Sequence, residues 1–441
     1  MESILLFIVG VLVVVVGLVV SIALHELGHF VPAKLFGVRV GQFMIGFGRT
    51  IVSWRRGETE YGFKWIPLGG YISMSGMYPP VAGRAARTAS TGFFETLVQD
   101  ARSASAVTIA EGEDHRAFYR LAVWKRIIVM LGGPFMNLVI AVVLYAIVLM
   151  GFGAAVPSTT LGTVFECVQP ASSSTQECSA DDPLAPGAQA GLRPGDRIVA
   201  IEGQPVEVWE DIPAVVRESA GEPIALTIER DGAQVETTLT PLLTERPVVD
   251  ARGEPVEGAD GTPLTEQVGF IGIAPAFETV QQPVTAVLPA VGDNIVRVTE
   301  IIIALPQRMV DVAQAAFGAE ERDPNGPISV VGVGRIAGEI ASLDTIPVVD
   351  RVSSLLGLLA GLNVALFVFN LIPLLPLDGG HIAIALIEAL RRRFAALFGR
   401  PDPGPLDTAK LVPFTLAVVM VLGAMSLLLI YADIVNPVSL F

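Results

Sequence analysis

The sequence predicts an α-helical integral membrane protein with four transmembrane helices. It also predicts a membrane-associated β-hairpin region after the first helix and an extracytoplasmic domain inserted after the second. Apolar residues make up 52% of the 441-residue chain and charged residues only 17%. Four apolar stretches, 4–24, 127–150, 354–377 and 411–431, are long enough to cross a hydrocarbon core of about 30 Å. Between them lie segments of alternating polarity with Gly/Pro turn signals, which are typical of strands.

The first segment, 1–30, is predicted to be a transmembrane helix. Residues 4–24 carry no charge and run directly into Leu24-His25-Glu26-Leu27-Gly28-His29. A secretory signal peptide is the alternative, but it would have a basic start, a shorter apolar core and a small-residue cleavage site. Glu2 is the only early charge. The pattern therefore favours a span that ends in a His-Glu-x-x-His motif.

His-Glu-x-x-His is a metal-binding pattern when it lies on a helix. His25 and His29 then lie one turn apart on the same face, with Glu26 beside them. Two imidazoles and a carboxylate in this arrangement bind zinc and provide a general base for hydrolysis. A catalytic zinc needs a third protein ligand. His115, His381 and Asp378 are the candidates, and the residues alone do not choose between them.

Segment 31–78 is predicted to form β-hairpins. The predicted pairs are Val38–Phe47 with Thr50–Trp54 around Gly48-Arg49, and Thr59–Ile66 with Tyr71–Met77 around Pro67-Leu68-Gly69-Gly70. Such a sheet either braces the helices or offers an edge that holds a substrate strand. Residues 79–126 are predicted to be a mobile cytoplasmic insert, because 79–115 are mostly small and polar.

The remaining spans are predicted at 127–151, 354–378 and 411–435. The third is broken by Pro373 and Pro376 and carries Asn370 and Asp378. Polar groups and prolines at membrane depth are costly unless they face protein or water. This span is therefore predicted to contribute to a site, although a kink that serves only packing is the alternative.

Basic residues predict the orientation of the chain. They are concentrated in loops 31–126 and 379–410, which should be cytoplasmic, so both termini and region 152–353 should be extracytoplasmic. That outer region has no lysine and an excess of acidic residues, within a chain of net charge −15. Its acidity argues against nucleic acid as a partner.

Cys167 and Cys178 both lie in the outer region. Outside the cytoplasm, two cysteines at this spacing are predicted to form a disulfide. No histidine lies nearby to complete a metal site. Further along, 246–353 is predicted to be an extracytoplasmic linker with an amphipathic helix at 293–317, which lies on the membrane or packs on the third span.

Residues 157–245 resemble a PDZ domain of the type attached to bacterial membrane proteases. The turn Gly191-Leu192-Arg193-Pro194-Gly195-Asp196 precedes a predicted strand at Arg197–Ile201. A helix at Trp209–Glu218 and a hairpin turning at Asp231-Gly232 follow. The resemblance implies a groove that takes an extended peptide, or a size filter over a membrane site. A degenerate second copy within 246–292 is the alternative to a linker there.

Motifs along almost the whole chain resemble the site-2 protease family, with a bacterial regulator of sigma-E protease as the closest type. The motifs, in chain order, are His25-Glu26-Leu27-Gly28-His29, Pro67-Leu68-Gly69-Gly70-Tyr71, Gly132-Gly133-Pro134-Phe135-Met136-Asn137 and Asn370 through Leu377-Asp378-Gly379. The resemblance implies Zn²⁺ bound by His25, His29 and Asp378, with Glu26 as general base. It further implies substrate contacts from Asn370 and Asn137.

The family resemblance also implies a function. It is intramembrane cleavage of a single-span membrane protein, of anti-sigma factor type after a first cut, or of remnant signal peptides. Membrane lipid and a peptide end at the PDZ groove are the other implied partners. Two other classes are weighed against it. One is a membrane-tethered PDZ scaffold with an inert metal site, and the other is a metal-dependent transporter with a path lined by Asn363, Asn370 and Asp378.

Overall fold

A computed structural model describes most of the chain in two compact units. One unit comprises Met1–Phe152 and Gln282–Phe441, and the other comprises Gly153–Gln281. The described residues are 2–79, 93–109, 112–169, 178–179, 182–249, 256, 258, 264–318, 322–323 and 326–438.

Eleven helices and ten strands occur within the described residues. The helices are α1 (Glu2–Leu35), α2 (Phe93–Val107), α3 (Val123–Ala146), α4 (Pro186–Gln189), α5 (Asp211–Glu218), α6 (Val287–Ile303), α7 (Leu305–Phe317), α8 (Val330–Ser342), α9 (Val348–Asn370), α10 (Asp378–Leu397) and α11 (Val412–Val435). The strands are β1 (Val40–Arg56), β2 (Thr59–Met74), β3 (Ala154–Val164), β4 (Arg197–Ile201), β5 (Gln204–Pro205), β6 (Ile224–Arg230), β7 (Ala233–Leu239), β8 (Leu242–Pro247), β9 (Thr265–Phe270) and β10 (Ile273–Val280).

Four helical segments among the described residues are long and apolar enough to cross a membrane, as predicted. They are Ser3–Leu35, Val123–Phe152, Val348–Asn370 and Thr408–Val435. The third ends at Asn370 rather than at 378, because Pro373 and Pro376 lack the amide hydrogen that a helix needs. Asp378 thereby becomes the first residue of a new helix, α10.

Helix α1 is held against its neighbours by close backbone contact and a buried polar pair. Val14 shares a core with α8 and α9. A Cβ placed on Gly10 would lie 2.3 Å from the carbonyl oxygen of Ala337 in α8, so only glycine permits this approach. Asn363 of α9 donates from Nδ2 to Ser21 Oγ at 3.0 Å. These contacts fix the helix that carries the His-Glu-x-x-His motif.

The predicted amphipathic segment at 293–317 forms two helices rather than one. Helix α6 contacts α3 and α9, and α7 contacts α11. Packing on the third span is one of the two placements that the sequence allows, and the structure adopts it for α6. The break between the two helices comes at Ala304, directly before Leu305-Pro306, where the proline restricts the backbone.

Strands β1 and β2 form one bent antiparallel ribbon, so the predicted pairing of two successive hairpins is wrong. Residues 42–45 pair with 70–73 on one side and with 60–63 on the other, while 52–56 pair with 59–63. The tight turn lies at Gly57-Glu58, where Gly57 has φ +65°, instead of at Gly48-Arg49. Residues 70–74 therefore form an outer edge of the described sheet.

Part of the predicted mobile insert is a regular helix. Residues 80–92 and 110–111 lie outside the described residues, but α2 contacts α11. Val98 is buried, and Ser105 Oγ accepts from the backbone N–H of Tyr78 at 3.0 Å. Arg102 pairs with Asp407 at 2.6 Å. These partners are distant in the chain, so local composition does not reveal them.

The unit Gly153–Gln281 is built around an antiparallel sheet of order β10-β3-β4-β6-β7. The predicted strand Arg197–Ile201 is confirmed, and the hairpin turns at Asp231-Gly232, both with positive φ. Ile198, Leu226 and Ile228 form its core with residues from α5. Because β10 pairs with β3, this unit extends beyond the predicted boundary at residue 245.

A disulfide joins Cys167 to Cys178 in this unit. Cys167 also forms an isolated antiparallel bridge with Leu184. The cross-link therefore lies beside a point where the chain already pairs with itself. Residues 170–177 of the loop lie outside the described residues.

A buried carboxylate anchors the turn that precedes β4. Asp196 is 2% exposed and accepts two hydrogen bonds from the Arg230 guanidinium, at 2.7 and 2.6 Å. The backbone N–H of Arg193 donates to the same carboxylate at 2.7 Å. The Arg230 guanidinium holds the pKa of Asp196 below its ordinary value. A group whose pKa is lowered by folding stabilises the fold above its unfolded pKa of about 3.9.

We expect Asp196→Asn to lower the free energy of unfolding of this unit by about 2 kcal/mol at neutral pH. The difference should shrink as the pH falls below about 5, since protonation then removes the charge in the wild type as well. Urea titrations at both pH values, followed by the fluorescence of Trp209, the one tryptophan in the sequence of this unit, measure this. Asp231→Asn removes an exposed carboxylate and should have little effect. A pH-independent difference would contradict the prediction.

Candidate metal centre

Helix α1 places two imidazoles side by side near its C-terminal end. His25 and His29 are one turn apart, and their Nε2 atoms are 3.2 Å from each other. Both rings are shielded, with His29 only 5% exposed. The spacing of four residues on a helix of about 3.6 residues per turn accounts for this geometry.

Helix α10 brings a carboxylate to the same point. Asp378 Oδ2 lies 3.4 Å from His25 Nε2 and 3.3 Å from His29 Nε2. The loop between α9 and α10 folds back tightly onto the start of α10. A Cβ on Gly379 would lie 2.3 Å from the Leu371 carbonyl oxygen, and one on Gly380 would lie 2.6 Å from the Leu374 carbonyl carbon. The Leu-Asp-Gly-Gly sequence thus permits the fold-back that positions Asp378.

The donor set fits a metal ion. The ligand atoms of His25, His29 and Asp378 all lie within 4.8 Å of one another. Among the described residues, no other group of three His, Cys, Asp or Glu side chains comes together in this way. His29 Nδ1 donates to the Val129 carbonyl at 2.7 Å, so its Nε2 presents a lone pair. The buried Asp378 Oδ2 has no regular hydrogen-bond donor among the described residues. Converging lone pairs without protons require a cation, and this N/N/O set suits zinc.

Asn137 lies directly behind His25. It is fully buried, and its Nδ2 is 3.1 Å from His25 Nδ1, while its Oδ1 has no hydrogen-bond partner among the described residues. If His25 uses Nε2 as a ligand, its Nδ1 carries the proton and needs an acceptor. Turning the amide over would place Oδ1 opposite Nδ1 and satisfy both groups. Asn137 can therefore fix the tautomer of His25.

Glycines let α3 approach the cluster. A Cβ on Gly133 would lie 2.2 Å from His29 Nε2 and 2.7 Å from His25 Nε2. A Cβ on Gly28 would lie 2.2 Å from the Gly132 carbonyl oxygen. Small residues at a helix crossing let two backbones touch, which is common between helices in membranes. Helices α1 and α3 cross at His25 and His29 for this reason.

Glu26 lies between the cluster and the sheet. It is 8% exposed, and a Cβ on Gly70 of β2 would lie 2.8 Å from Glu26 Cγ. Gly70 belongs to the outer edge of the ribbon. The Glu26 carboxylate, beside the two imidazoles, is thus next to the outer edge of the described sheet.

Other predicted residues lie outside the ligand cluster. Asn370 is the last residue of α9 and donates from Nδ2 to the Leu366 carbonyl at 2.9 Å. His381 lies one turn after Asp378 in α10, and His115 lies in a short helical turn at Asp114–Arg116. Sequence reasoning missed the Val129 carbonyl, since a backbone acceptor leaves no signature in the side chains.

Comparison with known proteins places the chain in a family. The model of peptidase family M50 matches residues 13–399. The chain belongs to this family. It is 35% identical over 453 residues to the zinc metalloprotease Rip1 of Mycobacterium tuberculosis, covering 99% of this chain and 100% of that protein. It is 33% identical to the Rip1 of Mycolicibacterium smegmatis over 450 residues, with the same coverage. The metalloprotease MmpA of Caulobacter vibrioides is 28% identical over 406 residues, covering 87% of this chain and 89% of the relative.

Family membership establishes the class of activity. The protein is a zinc metalloendopeptidase of the site-2 protease type, and Zn²⁺ is its cofactor. The prediction of this family from sequence motifs is confirmed. The four apolar helices agree with a multi-pass membrane protein of family M50.

We expect Asn137→Ala to weaken zinc binding by about 10–100-fold, the usual effect of removing a group that orients a ligand. Asn294→Ala is the matched control, because Asn294 also has a buried Oδ1 without a partner among the described residues, but its Nδ2 donates to the Tyr145 hydroxyl instead of facing His25. Competition with a chromophoric chelator in detergent measures the affinity. Equal zinc affinities of both variants and the wild type would contradict a positioning role for Asn137.

Proposed function

We propose that the protein is an intramembrane endopeptidase whose zinc is bound by His25, His29 and Asp378. The observation that carries this proposal is the convergence of their three ligand atoms within 4.8 Å at the end of an apolar helix. When bound, zinc acts as a Lewis acid that lowers the pKa of water to about 7. The remaining chemistry belongs to side chains of this chain.

Glu26 is proposed as the general base. Its carboxylate accepts a proton from the water that attacks the scissile carbonyl carbon, and then returns this proton to the amine nitrogen as the C–N bond breaks. Its burial beside His25 and His29 supports this role, since the carboxylate is within the same shielded volume as the ligands. Neither a scaffold nor a transporter needs a carboxylate at this position.

The edge of the β1–β2 ribbon is proposed to hold the substrate. A helical substrate has its backbone carbonyls satisfied internally, so it must unwind before attack. Residues 70–74 are an outer edge among the described strands, and Gly70 lies against Glu26. An unwound segment added to this edge would present its backbone to the base. Asn370 Nδ2 donates to the carbonyl of Leu366 in its own helix. On substrate binding, it is proposed to donate to the substrate carbonyl instead.

Asn137 is proposed to position His25 rather than to contact substrate. The sequence resemblance implied a substrate contact for this residue. Its complete burial and its 3.1 Å approach to His25 Nδ1 support the positioning role instead. Such an outer partner fixes ring orientation and raises ligand basicity.

The unit Gly153–Gln281 is proposed to be a PDZ domain, as the sequence predicts. A groove runs between α5 and β9, lined by Ile212, Val216 and Val268. At its end the Arg246 guanidinium stacks on Phe270 at 3.9 Å, and its Nε has no hydrogen-bond partner among the described residues. A half-buried cation beside an apolar groove suits the carboxylate end of a peptide. A size filter is the alternative role for the same domain.

The proposed substrate is a single-span membrane protein, cleaved after a first cut has shortened its outer domain. An anti-sigma factor is the proposed type, with remnant signal peptides as a second. Loops 31–126 and 379–410 are proposed to be cytoplasmic, and both termini and the PDZ domain extracytoplasmic, from the distribution of basic residues. Under this orientation the cluster lies near the cytoplasmic end of α1, where water can reach it.

We expect the purified protein to cleave a trimmed single-span substrate in detergent, and a zinc chelator to abolish the cleavage. Stoichiometric Zn²⁺ should restore it, because His25, His29 and Asp378 provide the only cluster of this kind among the described residues. Mass spectrometry of the products locates the cut. Cleavage that persists in metal-free protein, or a cut outside the transmembrane segment, would overturn the proposed function.

A further inference from the structure

The second half of α10 exposes an apolar stripe that no described element covers. Six large side chains on this stretch are each between 52% and 75% exposed: Leu386, Ile387, Leu390, Phe394, Leu397 and Phe398. At about 3.6 residues per turn these positions fall on one sector of the helix, about 120° wide. This helix is not among the four segments that can span the membrane. The stripe therefore needs another apolar environment.

Arginines border the stripe on both edges. On the same helical projection, Arg393 lies at one edge of the sector and Arg391 at the other. Arg400 follows just after the helix, and all three are exposed. Within the part of the chain that the structure describes, no carboxylate pairs with these three guanidinium groups, whereas Arg392 turns inward and pairs with Glu388 at 2.9 Å.

The opposite face of α10 fixes the depth of this stripe. Glu388 is 1% exposed and accepts from Arg126, near the start of α3, at 2.6 Å. Its second oxygen accepts from the backbone N–H of Leu406 at 3.4 Å, just before the span that begins at Thr408. Residue 388 therefore lies level with the ends of two spans. A helix at that level lies at the bilayer surface.

We propose that this face of α10 lies in the membrane interface and binds anionic phospholipid headgroups. The six apolar side chains enter the boundary between headgroups and acyl chains, and Arg391, Arg393 and Arg400 contact lipid phosphates. Three arginines so close together are too costly to place in the hydrocarbon core. Exposing six large apolar side chains to water is also unfavourable. Charge complementarity therefore selects an anionic lipid surface as the occupant. The same helix begins with Asp378, so one element joins the metal cluster to the bilayer surface.

Spin labelling tests this proposal in the full chain. Because both native cysteines form the disulfide, an introduced cysteine is the only free thiol. Leu390→Cys places a nitroxide on the stripe, and Ala396→Cys places one on an exposed side away from it. In phosphatidylcholine bilayers containing phosphatidylglycerol, the label at 390 should be accessible to oxygen and protected from an aqueous nickel complex. The label at 396 should show the reverse.

The role of charge is tested by a triple variant. Arg391→Gln/Arg393→Gln/Arg400→Gln should lower the equilibrium constant for binding of α10 to the bilayer surface by up to about 100-fold. Each basic residue near an anionic surface contributes about fivefold to that constant. The corresponding Arg→Lys variant should retain protection, and zinc content reports that every variant is folded. If the label at 390 is accessible to the nickel complex in the mixed bilayer, this face does not lie in the membrane and would instead bind a protein partner or a second copy of the chain. Protection that is unchanged in the glutamine variant would show apolar burial without headgroup binding. Either result overturns the proposal.

Discussion

We expect Glu26→Gln to reduce cleavage of a single-span substrate by about 10³-fold, within the range for loss of a general base. Glutamine has the same shape as glutamate and keeps contact with Gly70, but it cannot accept a proton from water. His25, His29 and Asp378 are untouched, so zinc content should equal that of the wild type. Single-turnover cleavage in detergent, with metal analysis of the same sample, measures both quantities.

Glu339→Gln is the matched control for this variant. Glu339 pairs with Arg335 in α8 and lies outside the ligand cluster. This control should cleave at the wild-type rate. Equal cleavage by Glu26→Gln and the wild type would assign the base to another residue. Loss of zinc together with activity would instead make Glu26 a structural residue of the cluster.

Much of this site could be predicted from the sequence because its determinants are local. His25, Glu26 and His29 share one helix, so their spacing alone fixes their relation. Asp378 is different, since it is 349 residues beyond His29 in the chain. Only the family resemblance selected it over His115 and His381. The structure brings Asp378 to the imidazoles through the fold-back of the α9–α10 loop onto Gly379.

Other features could not be predicted because their partners are distant or lack a side-chain signal. The ribbon pairs 42–45 with two different segments, which alternation of polar and apolar residues cannot reveal. Helix α2 is stabilised by a pair between Arg102 and Asp407, across most of the chain. In contrast, the hairpin at Asp231-Gly232 was predictable, because two adjacent positive φ values favour that dipeptide.

We expect Gly133→Ala to abolish zinc binding, although it adds a single methyl group. That methyl would lie 2.2 Å from His29 Nε2 and 2.7 Å from His25 Nε2, closer than nonbonded atoms approach. Because α1 and α3 already touch at Gly28 and Gly132, the methyl group fits only if the imidazoles move or the two helices separate. Either change disturbs the contacts of Val129 and Asn137 that orient His29 and His25. Zinc content and substrate cleavage should therefore fall together, unlike in Glu26→Gln.

Gly361→Ala in α9 separates this steric effect from the general effect of alanine in a helix. A Cβ at Gly361 meets no described atom within 4 Å. Alanine favours helix by about 1 kcal/mol relative to glycine, so both variants gain the same intrinsic stability. Only Gly133→Ala should lose zinc, as measured by metal analysis after purification. Full zinc content in Gly133→Ala would mean that α3 lies farther from the ligands than this geometry requires. The close approach of α1 and α3 would then not be what holds the two imidazoles in place.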